Sequence, residues 1–181
     1  MKCAECNQKE CSSGKDCTAY KDEIKELFTP DLDIMRAASH IESRYYKQKT
    51  RLQETVLFSQ KMGYHKLGLA FCIGLSEEAR KVREVLKDFE VVSVCCKVCG
   101  IDKDDFDLEK IENQKFEASC NPIGQATILN KEKTEFNIVL GLCIGHDTLF
   151  YKHSEAPVTT LAVKDRVLAH NPLGAIYSAY Y

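Results

Sequence analysis

The chain predicts an α/β fold: a mainly parallel, Rossmann-like sheet with flanking helices, preceded by a cysteine-rich metal-binding segment. Three observations carry this. Short continuous apolar runs alternate with helix-forming stretches after Gly63, the apolar share is 44%, and four of the ten cysteines fall within the first seventeen residues. Uninterrupted apolar runs bounded by turn residues mark strands buried on both faces, which is the setting of parallel sheets covered by helices. A chain of 181 residues holds one full core and a small appendage. The expected organisation is a metal-binding segment over 1–17 and a single α/β domain over 18–181 that opens with helices.

Residues 1–17 are too polar to pack alone, so a bound ion would have to order them. From Thr18 a helical period begins with Tyr20, Ile24, Leu27 and Phe28 on one face, and Pro30 stops it. A longer helix follows on Ile34, Met35, Ala38 and Ile41. Thr50 and Gln53 form a capping box for a third helix carrying Leu52, Val56, Leu57 and Met62, which Gly63 closes. Leu67 to Ile73 is the first strand. Ser76, Glu77 and Glu78 cap a helix running to about Phe89, and Glu90 to Cys95 is the second strand. The polar stretch from Asp102 to Lys115 connects to Cys120, after which Asn121 and Pro122 start a helix to about Asn130. Phe136 to Leu142, His146 to Tyr151 and Val158 to Lys164 read as strand, short helix and strand. Tyr177, Tyr180 and Tyr181 read as a packing helix. LGLAFCIG at 67–74 echoes IVLGLCIG at 138–145, and CNPIG at 120–124 echoes HNPLG at 170–174; either a duplicated unit or the shared composition of buried strands accounts for this.

The net charge of -2 gives no basic footprint for nucleic acid or anionic lipid, and no run of about 18 apolar residues offers a membrane span. Neither partner is expected, and the setting expected is cytoplasmic. In a reducing compartment abundant cysteine points to metal or catalysis rather than to disulfides. Cys3, Cys6, Cys11 and Cys17 give the spacing C-x2-C-x4-C-x5-C. Four thiolates so spaced satisfy a tetrahedral zinc or a four-iron cluster, leaving no open position for substrate.

The remaining cysteines belong to the fold. With parallel strands, Cys72, Cys95, Cys96 and Cys143 all close strands at the carboxyl edge, where such sheets bind ligands, and Cys120 joins them just before a helix cap. Cys72, Cys96, Cys120 and Cys143 are the candidate metal ligands here, with Cys95 a spare thiol or fifth ligand. Cys95 and His146 are the candidate catalytic groups. Cys99 extends the series. Lys164, Asp165, Arg166 and His170 overhang the same edge as an anion site or as a charged turn. No glycine-rich phosphate loop is present.

CIGL at 72–75, SVCCKVCG at 93–100, CNPIGQA at 120–126, GLCIGHD at 141–147 and SEAPVTTLAVKDRVLAHNP at 154–172 together resemble the DUF1847 family across the chain. That resemblance implies a predicted metal-binding protein with a cysteine-rich amino terminus, of a kind found mainly in anaerobic bacteria and archaea. It implies no reaction. The family pattern reads CCKVGG, so Cys99 stands where glycine is usual. An anaerobic setting favours an iron-sulfur cluster (4Fe-4S) over zinc. The function expected is a metal-binding, redox or sulfur-handling enzyme that meets an electron-transfer protein or a small-molecule substrate. The alternative is a non-enzymatic binding module with structural zinc and core cysteines.

Overall fold

The computed structural model describes residues 1–112 and 115–179. It places β1 (Lys66–Phe71), β2 (Glu90–Cys95), β3 (Phe136–Leu142) and β4 (Val158–Val163) in one sheet, ordered β2-β1-β3-β4 and parallel throughout. The helices are α1 (Lys21–Leu27), α2 (Leu32–Tyr45), α3 (Arg51–Met62), α4 (Ser76–Val85), α5 (Pro122–Lys131) and α6 (His146–His153). The chain divides into two compact units, Met1–Tyr46 and Lys47–Tyr181.

In the first unit the apolar side chains of α1 do not pack away: Tyr20, Ile24, Leu27 and Phe28 are all exposed. The buried positions of α2 are Ala37 and Ile41, while Met35 and Ala38 are exposed. The stripe is therefore rotated from the one expected, running through Ile34, Ala37 and Ile41.

The second unit is a three-layer sandwich. Alternate residues of a strand face opposite sides of a sheet. Leu67, Leu69, Phe136, Ile138 and Leu140 accordingly meet Ala79 and Val82 of α4, with Leu52 and Val56 of α3 packed against them. Ala70, Val94, Val139 and Leu142 meet Ala126 and Leu129 of α5 and Phe150 of α6 on the other side. Every residue of β3 is buried. The expected capping box is present, since Thr50 and Gln53 bond reciprocally, and Gly63 closes α3 at φ 72°.

Two glycines are dictated by close approach. A Cβ on Gly68 would fall 2.0 Å from Asn137 Oδ1. Asn137 is wholly buried inside β3; its Oδ1 accepts from Thr134 Oγ1 (2.7 Å) and its Nδ2 donates to Ser154 Oγ (2.8 Å). Gly141, at φ 69°, sits where the β3–β4 register slips, and a Cβ there would strike Leu75. The slip bends the end of β3 just before Cys143.

Two further sequence expectations change. The helix after β1 ends at Val85, with Leu86 turning into the core, rather than at Phe89. After β4 the described chain forms turns and one short 3-10 segment, Pro172–Ala175, in place of a packing helix. Tyr177 is 88% exposed, so it lacks the apolar surroundings that would hold a helix there. Tyr180 and Tyr181 lie outside the described residues.

A candidate thiol site at the carboxyl edge of the sheet

The strand order reverses between β1 and β3, because β1 connects to β2 on one side and the chain then crosses to β3 on the other. Loops leaving the carboxyl ends of such strands part in opposite directions and leave a crevice. A cavity of 540 Å³ opens there, and Cys72, Cys96, Cys120, Cys143 and His146 are among its walls.

Each sulfur is placed by backbone bonds that continue the sheet. Cys72 follows β1; its N–H donates to Leu140 O (3.1 Å) and its carbonyl accepts from Leu75 N (2.8 Å), starting the turn into α4. Cys96 follows β2; its N–H donates to Phe71 O (2.9 Å), and its carbonyl accepts the N–H of Asn121 (2.7 Å). Asn121 is the N-cap of α5, its side chain accepting from Gly124 N, so one bond ties the end of β2 to the start of the helix. Gln125, wholly buried, donates to Phe71 O (3.1 Å) and Val94 O (2.7 Å), clamping β1 to β2 beneath the cavity. Cys143 follows β3, and its carbonyl accepts from His146 N and Asp147 N, opening α6.

These constraints bring Cys120 Sγ to 4.0 Å from Cys96 Sγ. The two thiols are not equivalent. Cys96 is 3% exposed and accepts the N–H of Ile73 (3.3 Å), whereas half-buried Cys120 faces His146 and Lys97. The thiol of Cys96 beside Cys120 holds the ionisation of Cys120 well below the ordinary thiol range, with a hydrogen bond from His146 and the positive charge of Lys97 acting in the same direction. The proximity of Cys120, joined by burial, drives Cys96 the other way. Two thiols in contact titrate as a pair, and the shifts run in opposite directions: ionisation is favoured at Cys120 and disfavoured at Cys96. Across the cavity Arg166 Nη2 donates to Cys143 Sγ (3.2 Å), and that contact raises the guanidinium further above its usual range.

The cavity wall gathers Cys72, Cys96, Cys120, Cys143 and His146, but not Cys95. Cys95 is the last residue of β2, is half-buried, and packs against the apolar cluster on the α5 side. Cys99 is exposed and has φ 72°, the left-handed backbone that glycine takes without strain. Asp165 and His170 close a turn on each other: Asp165 N donates to His170 Nδ1 (3.1 Å) and His170 N to Asp165 O (2.9 Å). Lys97, Lys103, Leu108, Ile111 and Glu117 also line the cavity. Their segment reads in the sequence only as a polar connector, and no local pattern marks it as a wall.

Two thiolates on one tetrahedral zinc stand about 3.8 Å apart, given bonds of about 2.3 Å. The Cys96–Cys120 separation of 4.0 Å is close to that. Among the described residues, however, no three His, Cys, Asp or Glu side chains are arranged to hold one ion. The donor set of a closed zinc site is thus not assembled among the described residues. In the amino-terminal segment Cys3, Cys6, Cys11 and Cys17 are all exposed. Cys6 accepts backbone N–H groups from Lys9 and Gln8, which lower its thiol ionisation, while Cys11 and Cys17 point at the carbonyls of Lys9 and Lys15.

Residues 9–161 match the family model described as "Protein of unknown function (DUF1847)". An uncharacterized protein of Methanocaldococcus jannaschii is 54% identical over 187 aligned positions, covering 100% of this chain and 96% of that one. No solved structure matches. No helix among the described residues is long and apolar enough to cross a membrane.

Proposed function

The chain belongs to the DUF1847 family, whose description assigns no function, and we propose that it performs thiol chemistry with Cys120 as the reacting sulfur and Cys96 as its partner. The observation that carries this reading is the 4.0 Å contact between the two sulfurs on the wall of one cavity. A thiolate is the nucleophilic form of cysteine, and a second thiol in contact supplies what a redox pair needs.

With a small disulfide as oxidant the reaction balances in two steps. The Cys120 thiolate attacks one sulfur, forming a mixed disulfide and releasing one thiolate. Cys96, losing its proton to the solution, then attacks the Cys120 sulfur and releases the second. Two electrons pass from the pair to the disulfide. His146, on the same cavity wall, favours the thiolate form of Cys120 electrostatically. A cytoplasmic setting, in which such a pair is kept reduced between turnovers, fits ten cysteines that are all free.

The test is treatment of protein purified without oxygen with one equivalent of a small disulfide, followed by peptide mapping. A Cys96–Cys120 bridge is the expected product. A mixture in which the amino-terminal cysteines consume the oxidant while Cys96 and Cys120 stay reduced would sink the reading.

A metal-centred reading is the second one, favoured by the near-tetrahedral separation of the same two sulfurs, with Cys72 and Cys143 on the same wall and the amino-terminal four as a separate centre. Iron, zinc and sulfide content of the same preparation decides it. Stoichiometric metal that is lost when Cys96 and Cys120 are replaced would favour it over the dithiol.

A further inference from the structure

The cavity that holds Cys120 carries more positive charge than its thiolate needs, and we infer that the small molecule reacting there is an anion, held by Lys164 and Arg166. This rests on the thiol reading above for the identity of the reacting atom, though not for the binding of charge.

The cations of the wall fall into two groups. Lys103 is in an ion pair with Glu117 (2.8 Å), and Lys97 Nζ is tied to the carbonyl of Ala118. Those two are committed to the polypeptide. Lys164 and Arg166 line the same cavity and, among the described residues, neither is paired with a carboxylate. Arg166 spends one guanidinium nitrogen on Cys143 and retains its others.

The placement of these two residues follows from β4. Lys164 N donates to Leu142 O (3.0 Å), so the chain leaving β4 is still held against the carboxyl end of β3. Positions 164 and 166 both reach the cavity, while Asp165 between them turns its carboxylate to the N–H groups of Val167 (3.0 Å) and Leu168 (2.8 Å). The one acidic side chain of this turn is thereby used up in capping it. Gly74 makes room from below: a Cβ there would lie 3.3 Å from Lys164 Nζ and 4.0 Å from Cys72 Sγ. The ammonium therefore stands over the loop that follows β1, on the side of Cys72. Glu109, on the outer wall, is exposed to solvent and opposes this charge only weakly.

Ile73, Leu108 and Ile111 provide apolar surface on the same cavity. The ligand class that matches is a small disulfide or related sulfur compound bearing a carboxylate or similar anionic head on a short body. The head meets Lys164 and Arg166, and the sulfur meets Cys120.

The experiment compares oxidation of the Cys96–Cys120 pair by three small disulfides of similar size: anionic dithiodiglycolate, neutral bis(2-hydroxyethyl) disulfide and cationic cystamine. The wild type is expected to react at least tenfold faster with the anionic compound than with the neutral one, with cystamine slowest. In Lys164→Gln/Arg166→Gln that preference should fall to within about threefold, while reaction with the neutral compound is retained. An unchanged ranking in the variant, or a preference for cystamine in the wild type, overturns the assignment. Binding is measured separately under reducing conditions as the thermal shift produced by thioglycolate against 2-mercaptoethanol. A shift with thioglycolate alone, abolished in the variant, upholds the anion site even where no disulfide oxidises the pair, and in that case it is the thiol reading that fails. No shift together with indifference to charge overturns the anion site itself.

Discussion

Replacing Cys96 with alanine separates the two roles that its sulfur plays. The sulfur accepts the N–H of Ile73 at 3.3 Å in a site 3% exposed. Ile73 is itself 53% exposed on the cavity wall, so its N–H can turn to solvent and the lost bond costs about 0.5–1.5 kcal/mol, to which the void of one sulfur atom adds roughly 0.5 kcal/mol. Cys96→Ala should therefore lose about 1–2 kcal/mol of unfolding free energy. The second effect falls on Cys120, which loses the partner thiol 4.0 Å away that favours its ionisation. A hydrogen bond to a charged group contributes about 1.5–3 kcal/mol, equivalent to roughly 1–2 pH units in ionisation. Urea denaturation reads the first effect and the pH dependence of Cys120 alkylation reads the second. The Cys120 midpoint should rise by that amount in Cys96→Ala and by less in Cys96→Ser, whose hydroxyl keeps both a donor and an acceptor. A midpoint that does not move in Cys96→Ala would show that the 4.0 Å contact does not set the charge state of Cys120.

Four other outcomes follow from the same geometry. Gly68→Ala forces a methyl onto Asn137 and should cost about 3–5 kcal/mol, from overpacking plus disruption of a buried hydrogen-bond pair; pairing it with Asn137→Ala should recover more than 1 kcal/mol, and strict additivity in denaturation would contradict the contact. Cys99→Gly should stabilise the protein by about 0.5–1 kcal/mol, because glycine takes φ 72° without strain, and a loss of melting temperature would argue that the thiol itself is needed. Glu135 accepts the N–H groups of Lys66 (2.8 Å) and His65 (2.6 Å), which depress its ionisation, so its contribution is complete above the unfolded carboxyl value of about 4.3 and disappears as pH falls through the lower folded value. Denaturation of wild type and Glu135→Gln should therefore converge in acid, and parallel curves throughout would refute this. For the thiol pair the sign is opposite at the alkaline end: above about 8.5 an unfolded Cys96 ionises while the folded one stays protonated, so wild-type stability should decline there and Cys96→Ala should decline less.

The sequence makes the sheet legible because its apolar runs leave a signal that depends on no partner: the four runs expected as strands are strands, β1 and β3 largely buried and the edge strands β2 and β4 only in part, with the first run ending at Phe71 rather than Ile73 and the last at Val163 rather than Lys164. Capping at Thr50, Gly63 and Asn121 is equally local and equally readable. The convergence of Cys72, Cys96, Cys120 and Cys143 follows from parallel strands closing at one edge. What could not be read is which neighbouring residue turns inward where regular alternation stops. Both Cys95 and Cys96 touch the cluster on the α5 side, but Cys95 still belongs to β2 and stays off the cavity wall, whereas Cys96 is already past the strand and lines the cavity beside Cys120, its carbonyl bonded to Asn121. The pairing depends on a contact between residues 25 apart in sequence, and the wall formed by Lys103, Glu117 and their neighbours depends on a segment with no periodicity. Tyr177 misleads for the complementary reason, since an aromatic side chain predicts a helix only where something covers it, and here it is 88% exposed.

The central claim is that Cys120 is the ionised member of a thiol pair with Cys96, and residue-resolved alkylation of the wild type across pH tests it most directly. With iodoacetamide and peptide mapping, the account predicts that Cys120 is modified first among the cavity cysteines and that its rate stays nearly level down to about pH 6, well below the ordinary thiol value of about 8.5. A rate for Cys120 that climbs tenfold per pH unit up to about 8.5, or modification of Cys96 ahead of Cys120, would contradict it.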